Sequence, residues 1–241
     1  ITADPDLNLK FLKQIKKKRF YEFIIEEKNL DNFKEIVKQE IKKYYPKSEG
    51  DTRLYGIENA SSIINDFFSK IIEKEIKLLD SLKTINKDLY VHAIMGGCLE
   101  NKNLTSSGGG WHRDHYFEQY KVMIYLTDVK TENGPFSYLI KSHYKFYQGL
   151  SLLLFKLFSK NHTRFTDFSI KILKLLLFEQ RIFVGKKGTC IVFNATGLHR
   201  GLPITEGERV SLTAYIFEKS NNKELYDDRS DHMNIPIELR D

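Results

Sequence analysis

Two histidines and an aspartate carry the strongest chemical signal in this sequence. His112 and Asp114 stand two apart in Trp111-His112-Arg113-Asp114, and His199 lies far downstream in Gly197-Leu198-His199-Arg200-Gly201. In an extended segment, residues i and i+2 project to the same side, so an imidazole and a carboxylate there can reach one metal ion. Two His and one carboxylate make the facial triad of non-haem Fe(II) oxygenases, which leaves three coordination positions open for a cosubstrate and O₂. Taken alone, His-x-Asp is a weak signal, because a histidine near a strand end more often serves structure. Arg209 and Ser211 strengthen it. They are again i and i+2, in Glu208-Arg209-Val210-Ser211. A guanidinium fork grips a carboxylate bidentately, and a hydroxyl adds one more hydrogen bond. The distal carboxylate of 2-oxoglutarate needs such a cradle.

Other residues are weaker candidates. Trp111 either walls a substrate pocket or is a packing aromatic. Lys121 opens the next strand and either contacts 2-oxoglutarate or substrate, or is an ordinary edge charge. Arg53 and Tyr55 sit in a turn-rich stretch that could bring them to the substrate. His115 and Arg113 alternate away from the metal side, which makes Arg113 an ion-pair partner or a rim residue. His92, His143, His162 and His232 read as structural or solvent-facing. Cys98 and Cys190 read as small buried apolar groups. Two cysteines are too few for a disulfide-stapled fold, which favours a reducing cytoplasm.

The elements that must position these residues follow from periodicity. Residues 1–88 read as mainly helical support. Phe33, Ile36, Val37 and Ile41 recur at helical spacing, with Asp31 or Asn32 as a cap and Pro46 as the stop. Ile63, Ile64, Phe67, Phe68, Ile71, Ile72 and Ile76 repeat the pattern. The grammar then changes to strands at 89–100, 120–129, 136–140, 189–193 and 209–217, with Glu132-Asn133-Gly134-Pro135 as a turn. Helices followed by antiparallel-looking strands predict an α+β chain on a β-barrel or sandwich. An insertion at about 145–184 breaks the strands. Leu150, Leu153, Leu154 and Leu157 share one helical face at 149–160, and a second amphipathic helix covers 165–180, with Asp167 and Lys171 spaced as an i,i+4 pair. Residues 218–241 read as a polar tail. The 241 residues suit a single domain.

The stretches WHRDHYFEQYKVMIYLTDVKTENGPFSYLIKSH and GKKGTCIVFNATGLHRGLPITEGERVSL resemble the phytanoyl-CoA dioxygenase family. The resemblance runs over residues 89–217, with the insertion poorly matched. It implies a double-stranded β-helix (a cupin-like jelly roll) braced by N-terminal helices, with the insertion as a lid. It also implies Fe(II) held by His112, Asp114 and His199, and 2-oxoglutarate held by Arg209 with Ser211. The expected activity is that of a 2-oxoglutarate-dependent dioxygenase that releases succinate and CO₂. Related halogenases lack the carboxylate ligand, so Asp114 favours hydroxylation or desaturation.

Charge bears on partners. The net charge is +6, yet ten Lys/Arg and only two Asp/Glu fall within 141–187, so the rest of the chain is net acidic. A generally basic nucleic-acid coat is thereby disfavoured. The basic, apolar insertion reads in three ways: a lid for an anionic or amphiphilic small-molecule substrate, a contact with an anionic membrane surface, or helices packed on the barrel or a second subunit. No apolar run reaches the roughly 20 residues of a membrane-spanning helix, and the start lacks a signal-peptide core. The rival to an enzyme is a non-catalytic jelly-roll binding module that retains the motif.

Overall fold

The computed structural model describes residues 20–26, 28–47, 50–81, 89–100, 107–116, 119–155, 162–176 and 179–218. The expected tail, His232 and the second half of the first insertion helix lie outside them. Strands β1 (Phe20–Ile24), β2 (Asp51–Tyr55), β3 (Leu89–Glu100), β4 (Ser107–His112), β5 (Gln119–Tyr125) and β6 (Phe136–Leu139) are followed by β7 (Arg164–Phe165), β8 (Gln180–Phe183), β9 (Thr189–Asn194), β10 (His199–Gly201) and β11 (Glu208–Glu218). The helices are α1 (Leu30–Tyr44), α2 (Ile57–Ala60), α3 (Ser62–Ser81), α4 (Lys145–Phe155) and α5 (Asp167–Leu176).

Two antiparallel sheets result, ordered β1-β9-β5-β11-β3-β2 and β7-β4-β10-β6-β8. Strands β3, β4, β5 and β6 alternate between the sheets, and β8 to β11 alternate likewise. This is the winding of a double-stranded β-helix, the expected jelly roll. Strands β1 and β2 extend one edge each of the larger sheet, and β7 extends the smaller.

Period-two alternation assigns every side chain to a layer. On β5, Val122 and Ile124 join Val210, Leu212 and Ala214 of β11 on the outer face of the larger sheet, against Phe33 and Val37 of α1 and Ile64 and Phe68 of α3. The inner layer joins the two sheets through Tyr125, Ile191 and Phe193 on one side and Phe136, Tyr138 and Phe183 on the other. A third cluster of Trp111, Leu139, Phe165, Ile170, Leu173 and Leu198 packs α5 onto the outside of the smaller sheet. Among the described residues no helix is long and apolar enough to cross a membrane.

Three expectations need correction. The N-terminal support is not purely helical: residues 51–55, read as turn-rich loop, pair with β3 from Asp51 opposite Leu99 to Tyr55 opposite Met95. Five residues are too few to show a period against their flanking turns. Helix α1 begins at Leu30 after Asn29, with no side-chain cap, so neither Asp31 nor Asn32 caps it. The i,i+4 pair Asp167–Lys171 gives way to a tertiary one: Arg200 Nη1 donates to Asp167 Oδ1 at 2.5 Å.

The turn entering β10 is tight. A Cβ at Gly197 would collide with the ring of Tyr138, whose hydroxyl donates to the Asn194 carbonyl at 3.1 Å. Replacing Gly197 by Ala forces ring or turn to shift, so thermal unfolding should show a loss of about 1–3 kcal/mol, the usual cost of overpacking.

Candidate metal centre

Pairing of β4 with β10 sets His199 directly opposite His112. The rings face each other at 4.5 Å between centroids. Past the end of β4, the Asp114 N–H donates to the Ala195 carbonyl at 3.1 Å, which turns the carboxylate back toward the two rings. Asp114 Oδ1 then lies 3.5 Å from His112 Nε2 and 3.5 Å from His199 Nε2.

The protonation of each ring follows from its other nitrogen. His112 Nδ1 is 2.9 Å from the Gly110 carbonyl, and His199 Nδ1 is 2.9 Å from the Gly197 carbonyl. A carbonyl only accepts, so each Nδ1 carries the hydrogen and each Nε2 presents a lone pair. Two imidazole lone pairs and a carboxylate oxygen thus converge, with the three ligand atoms all within 4.8 Å of one another. This donor set fits a first-row divalent metal, and the i−2 carbonyls supply the outer hydrogen bonds that orient metal-binding histidines.

Electrostatics agree. Burial, then the neighbouring His199, pulls the His112 pKa down to about 3, which keeps its lone pair available. Burial works to raise the Asp114 pKa, but the Lys121 ammonium and the two imidazoles hold it well below the usual carboxylate range.

Lys121 is no edge charge. It is buried, with Nζ 2.5 Å from Asp114 Oδ2 and 4.3 Å from the centre of the Tyr215 ring. Its neighbour on the same carboxylate is therefore the edge that the metal side does not use. Burial, then Asp114, raises the Tyr215 pKa to about 12, so its hydroxyl stays protonated.

Arg209 and Ser211 project into the same pocket from β11, as their spacing predicts, together with Thr213 and Tyr215. Arg209 Nη1 donates to the carbonyl of Gly134, a residue whose φ of 68° suits glycine at the predicted turn. Burial pushes the Arg209 pKa down from its ordinary value. The metal ligands come from the smaller sheet and its exit loop, while Lys121, Arg209 and Ser211 come from the larger, so the pocket lies between the sheets.

The remaining candidates divide. Arg53 lines the pocket but is gripped by Asp51 through Nη2 at 2.7 Å and Nε at 3.2 Å. Tyr55 reaches the pocket wall through its hydroxyl, 3.3 Å from that of Tyr215. Trp111 points the other way from His112, into the outer cluster under α5, so it is not a wall of the metal pocket. Arg113 is corrected from rim to interior: it is 1% exposed. Its guanidinium donates to the Thr196 carbonyl at 3.0 Å, the Ser142 carbonyl at 3.4 Å and Ser151 Oγ at 3.1 Å. His92 packs against Phe217 and His143 against Tyr144, both structural. Cys98 and Cys190 are buried, as expected. Sequence reasoning missed Thr213, Tyr215 and Phe193 as pocket walls. The first two continue the inward alternation of Arg209 and Ser211, a signal that was present in the strand.

No protein-family model matches this chain, and no curated protein matches it in sequence. Solved structures do match it. The epimerase SnoN, in complex with Fe3+, alpha ketoglutarate and nogalamycin RO, is 14% identical with a TM-score of 0.67, over 93% of this chain and 91% of that one. HygX from Streptomyces hygroscopicus, with nickel and 2-oxoglutarate bound, is 15% identical with a TM-score of 0.59, over 91% and 88%. EctD from S. alaskensis with bound Fe is 14% identical with a TM-score of 0.63, over 90% and 79%. The likeness is one of fold: this chain shares its jelly roll with proteins solved around iron, nickel and 2-oxoglutarate.

Two expectations follow from the site. In the metal-free protein His112 stays neutral down to about pH 3, whereas in the unfolded chain it takes up a proton near 6.5. The unfolded state binds more protons in that interval, so stability should fall as pH drops from 6.5 toward 3. Denaturant titration at several pH values should show this, and His112→Gln should lessen it. Lys121→Met should leave the fold intact but free Asp114 Oδ2 to act as a second donor. Isothermal titration with Mn(II) should then give an affinity differing from wild type by roughly tenfold, the size of a typical second-shell effect.

Proposed function

We propose that this chain is a non-haem Fe(II) enzyme that consumes 2-oxoglutarate and O₂ to oxidise a small organic substrate. The observation that carries the reading is the convergence of His112 Nε2, His199 Nε2 and Asp114 Oδ1, with both Nδ1 atoms committed to backbone carbonyls. In this reading His112, Asp114 and His199 hold the iron. Arg209, with Ser211, receives the distal carboxylate of 2-oxoglutarate. Fe(II) bound there supplies the chemistry that couples decarboxylation of 2-oxoglutarate to succinate and CO₂ with oxidation of the second substrate.

The protein's own part is placement. Lys121 occupies one oxygen of Asp114, so the carboxylate offers the other to the metal and coordination positions stay open. Phe136 and Phe193 flank His199, at 5.7 and 5.3 Å between ring centres, and exclude water from its inner side. A retained carboxylate ligand favours hydroxylation or desaturation, and in this reading the chain is one oxygenase domain of the phytanoyl-CoA dioxygenase type that its sequence resembles. The structural neighbours include an epimerase and a carbocyclase, so hydroxylation is the proposal for this chain rather than a property of the fold. The proposed substrate is an anionic or amphiphilic small molecule, and Arg53 and Tyr55 are placed to meet it.

The test is an anaerobic titration of the metal-free protein with Fe(II) and 2-oxoglutarate, following the visible charge-transfer band of the chelate. Wild type should develop the band and His112→Ala should not. Arg209→Ala should need roughly ten- to a hundredfold more 2-oxoglutarate, the equivalent of one charge-assisted hydrogen-bonded contact. A wild type with no band and no iron affinity sinks the reading in favour of a non-catalytic binding module.

A further inference from the structure

Helix α4 is mounted the wrong way round for a helix that packs on a barrel. Its buried residues are Gln148 and Ser151. Its leucine-rich side faces out instead, with Phe146 73%, Leu153 63% and Leu154 47% exposed. The cause lies beneath it. Arg113 is enclosed and must find acceptors there. It donates to Ser151 Oγ, which donates in turn to the Gln148 carbonyl at 2.8 Å, while Gln148 Nε2 donates to the His143 carbonyl at 2.9 Å. Gln148 and Ser151 are thereby fixed inward, with Tyr147 and Phe155 half-buried against the third cluster, and Phe146, Leu153 and Leu154 are left facing out. Helix α5 adds a second stripe. Ile170 and Leu173 are buried, whereas Phe168 is 71% and Leu175 80% exposed, with Lys171 exposed between them.

Exposed phenylalanines and leucines at this density call for an apolar cover, and charge selects which. The two helices and the chain between them, residues 145–176, carry six Lys/Arg and one Asp/Glu. A second copy would bring this excess of positive charge against itself. A neutral apolar partner would leave the lysines desolvated. An anionic lipid surface takes both: apolar side chains enter the acyl boundary, and ammonium groups meet the phosphates. We propose that the α4–α5 insertion docks this protein on an anionic phospholipid surface. A groove of about 520 Å³ lined by Trp111, Ile170, Lys171, Leu175, Arg200 and Leu202 runs beside α5. Arg200 also lines the metal pocket. Docking therefore places this groove, which shares Arg200 with the metal pocket, next to the lipid.

The full chain is sedimented with vesicles of phosphatidylcholine alone and of phosphatidylcholine mixed with phosphatidylglycerol, with light scattering in parallel. Wild type should pellet with the anionic vesicles only, and added salt should release it. Phe146→Ser combined with Leu153→Ser should lower the bound fraction by about tenfold, and Lys171→Glu combined with Lys174→Glu should do likewise. All four side chains are exposed, so melting curves should match wild type, and the lysine pair provides an independent reading if the serine pair unfolds. Absence of pelleting with anionic vesicles overturns the proposal, as does equal pelleting with neutral ones. A wild-type dimer that the serine pair converts to monomer would assign the face to a second copy and overturn it too. None of these readouts depends on iron, so the result stands apart from the proposed chemistry.

Discussion

The pairing of β4 with β10 is the constraint on which the site depends. It sets His112 opposite His199, and a slip of either strand by one residue would turn that strand's ring to the other face of the sheet. Strand β10 is only three residues long, too short to hold register by its own hydrogen bonds. It is held from both sides, by β4 and by β6, where His199 pairs with Tyr138. The residues that alternate with the ligands add to the hold. Trp111 and Leu198, each one residue before a histidine, are locked in the outer cluster with Ile170 and Leu173. The insertion helix thus contributes to the register of the metal centre from the opposite side of the sheet.

The pocket gathers charge at a cost that a purely structural fold would avoid. Asp114, Lys121 and Arg209 are all withdrawn from water, and buried ions destabilise unless closely paired. Asp114 and Lys121 offset each other at 2.5 Å. Arg209 sits at the other end of the same pocket, with the Gly134 carbonyl for company. The two ends are separated by strand alternation: the ligands project from the smaller sheet, and the cations from β5 and β11 of the larger. A chelating dianion such as 2-oxoglutarate would join them, with one carboxylate at the metal and one at Arg209.

Much of this was legible in the sequence. The shared pocket-facing side of Arg209 and Ser211 was readable because an i, i+2 spacing has one geometric meaning in a strand, whereas Asp114 comes back toward His112 from beyond the end of β4. Strand β9 was readable because it is buried on both faces and reads as a short apolar run, and β11 because outward Val210, Leu212 and Ala214 alternate with inward polar residues. The short edge strands were not. Residues 51–55 carry two charges, and their pairing is decided by the exposed edge of β3 rather than by their own pattern. Arg113 was misplaced for a related reason. Alternation correctly turned it away from the metal, but the side away from the metal is covered by the insertion and is not solvent. The orientation of α4 escaped for the same cause: its leucines form a helical face, but the buried guanidinium decides which face turns inward.

Arg113 therefore ties together what the sequence treats as separate. It lies between two ligands, and its backbone N–H donates to the Thr163 carbonyl in the insertion at 2.9 Å. Its side chain binds Thr196, in the turn that leads to His199, and Ser151, on α4. Its burial, outweighing the opposing influence of Tyr116 and Tyr138, lowers its pKa to about 10, which still leaves it charged at neutral pH. A permanent charge with three neutral acceptors is strongly directional, because losing any one of them leaves it underbonded. The segments that carry His112 and His199 and the insertion must then be in place together for Arg113 to keep these three acceptors. The turn that leads to His199 and the inward face of α4 are thus tied to a single buried cation.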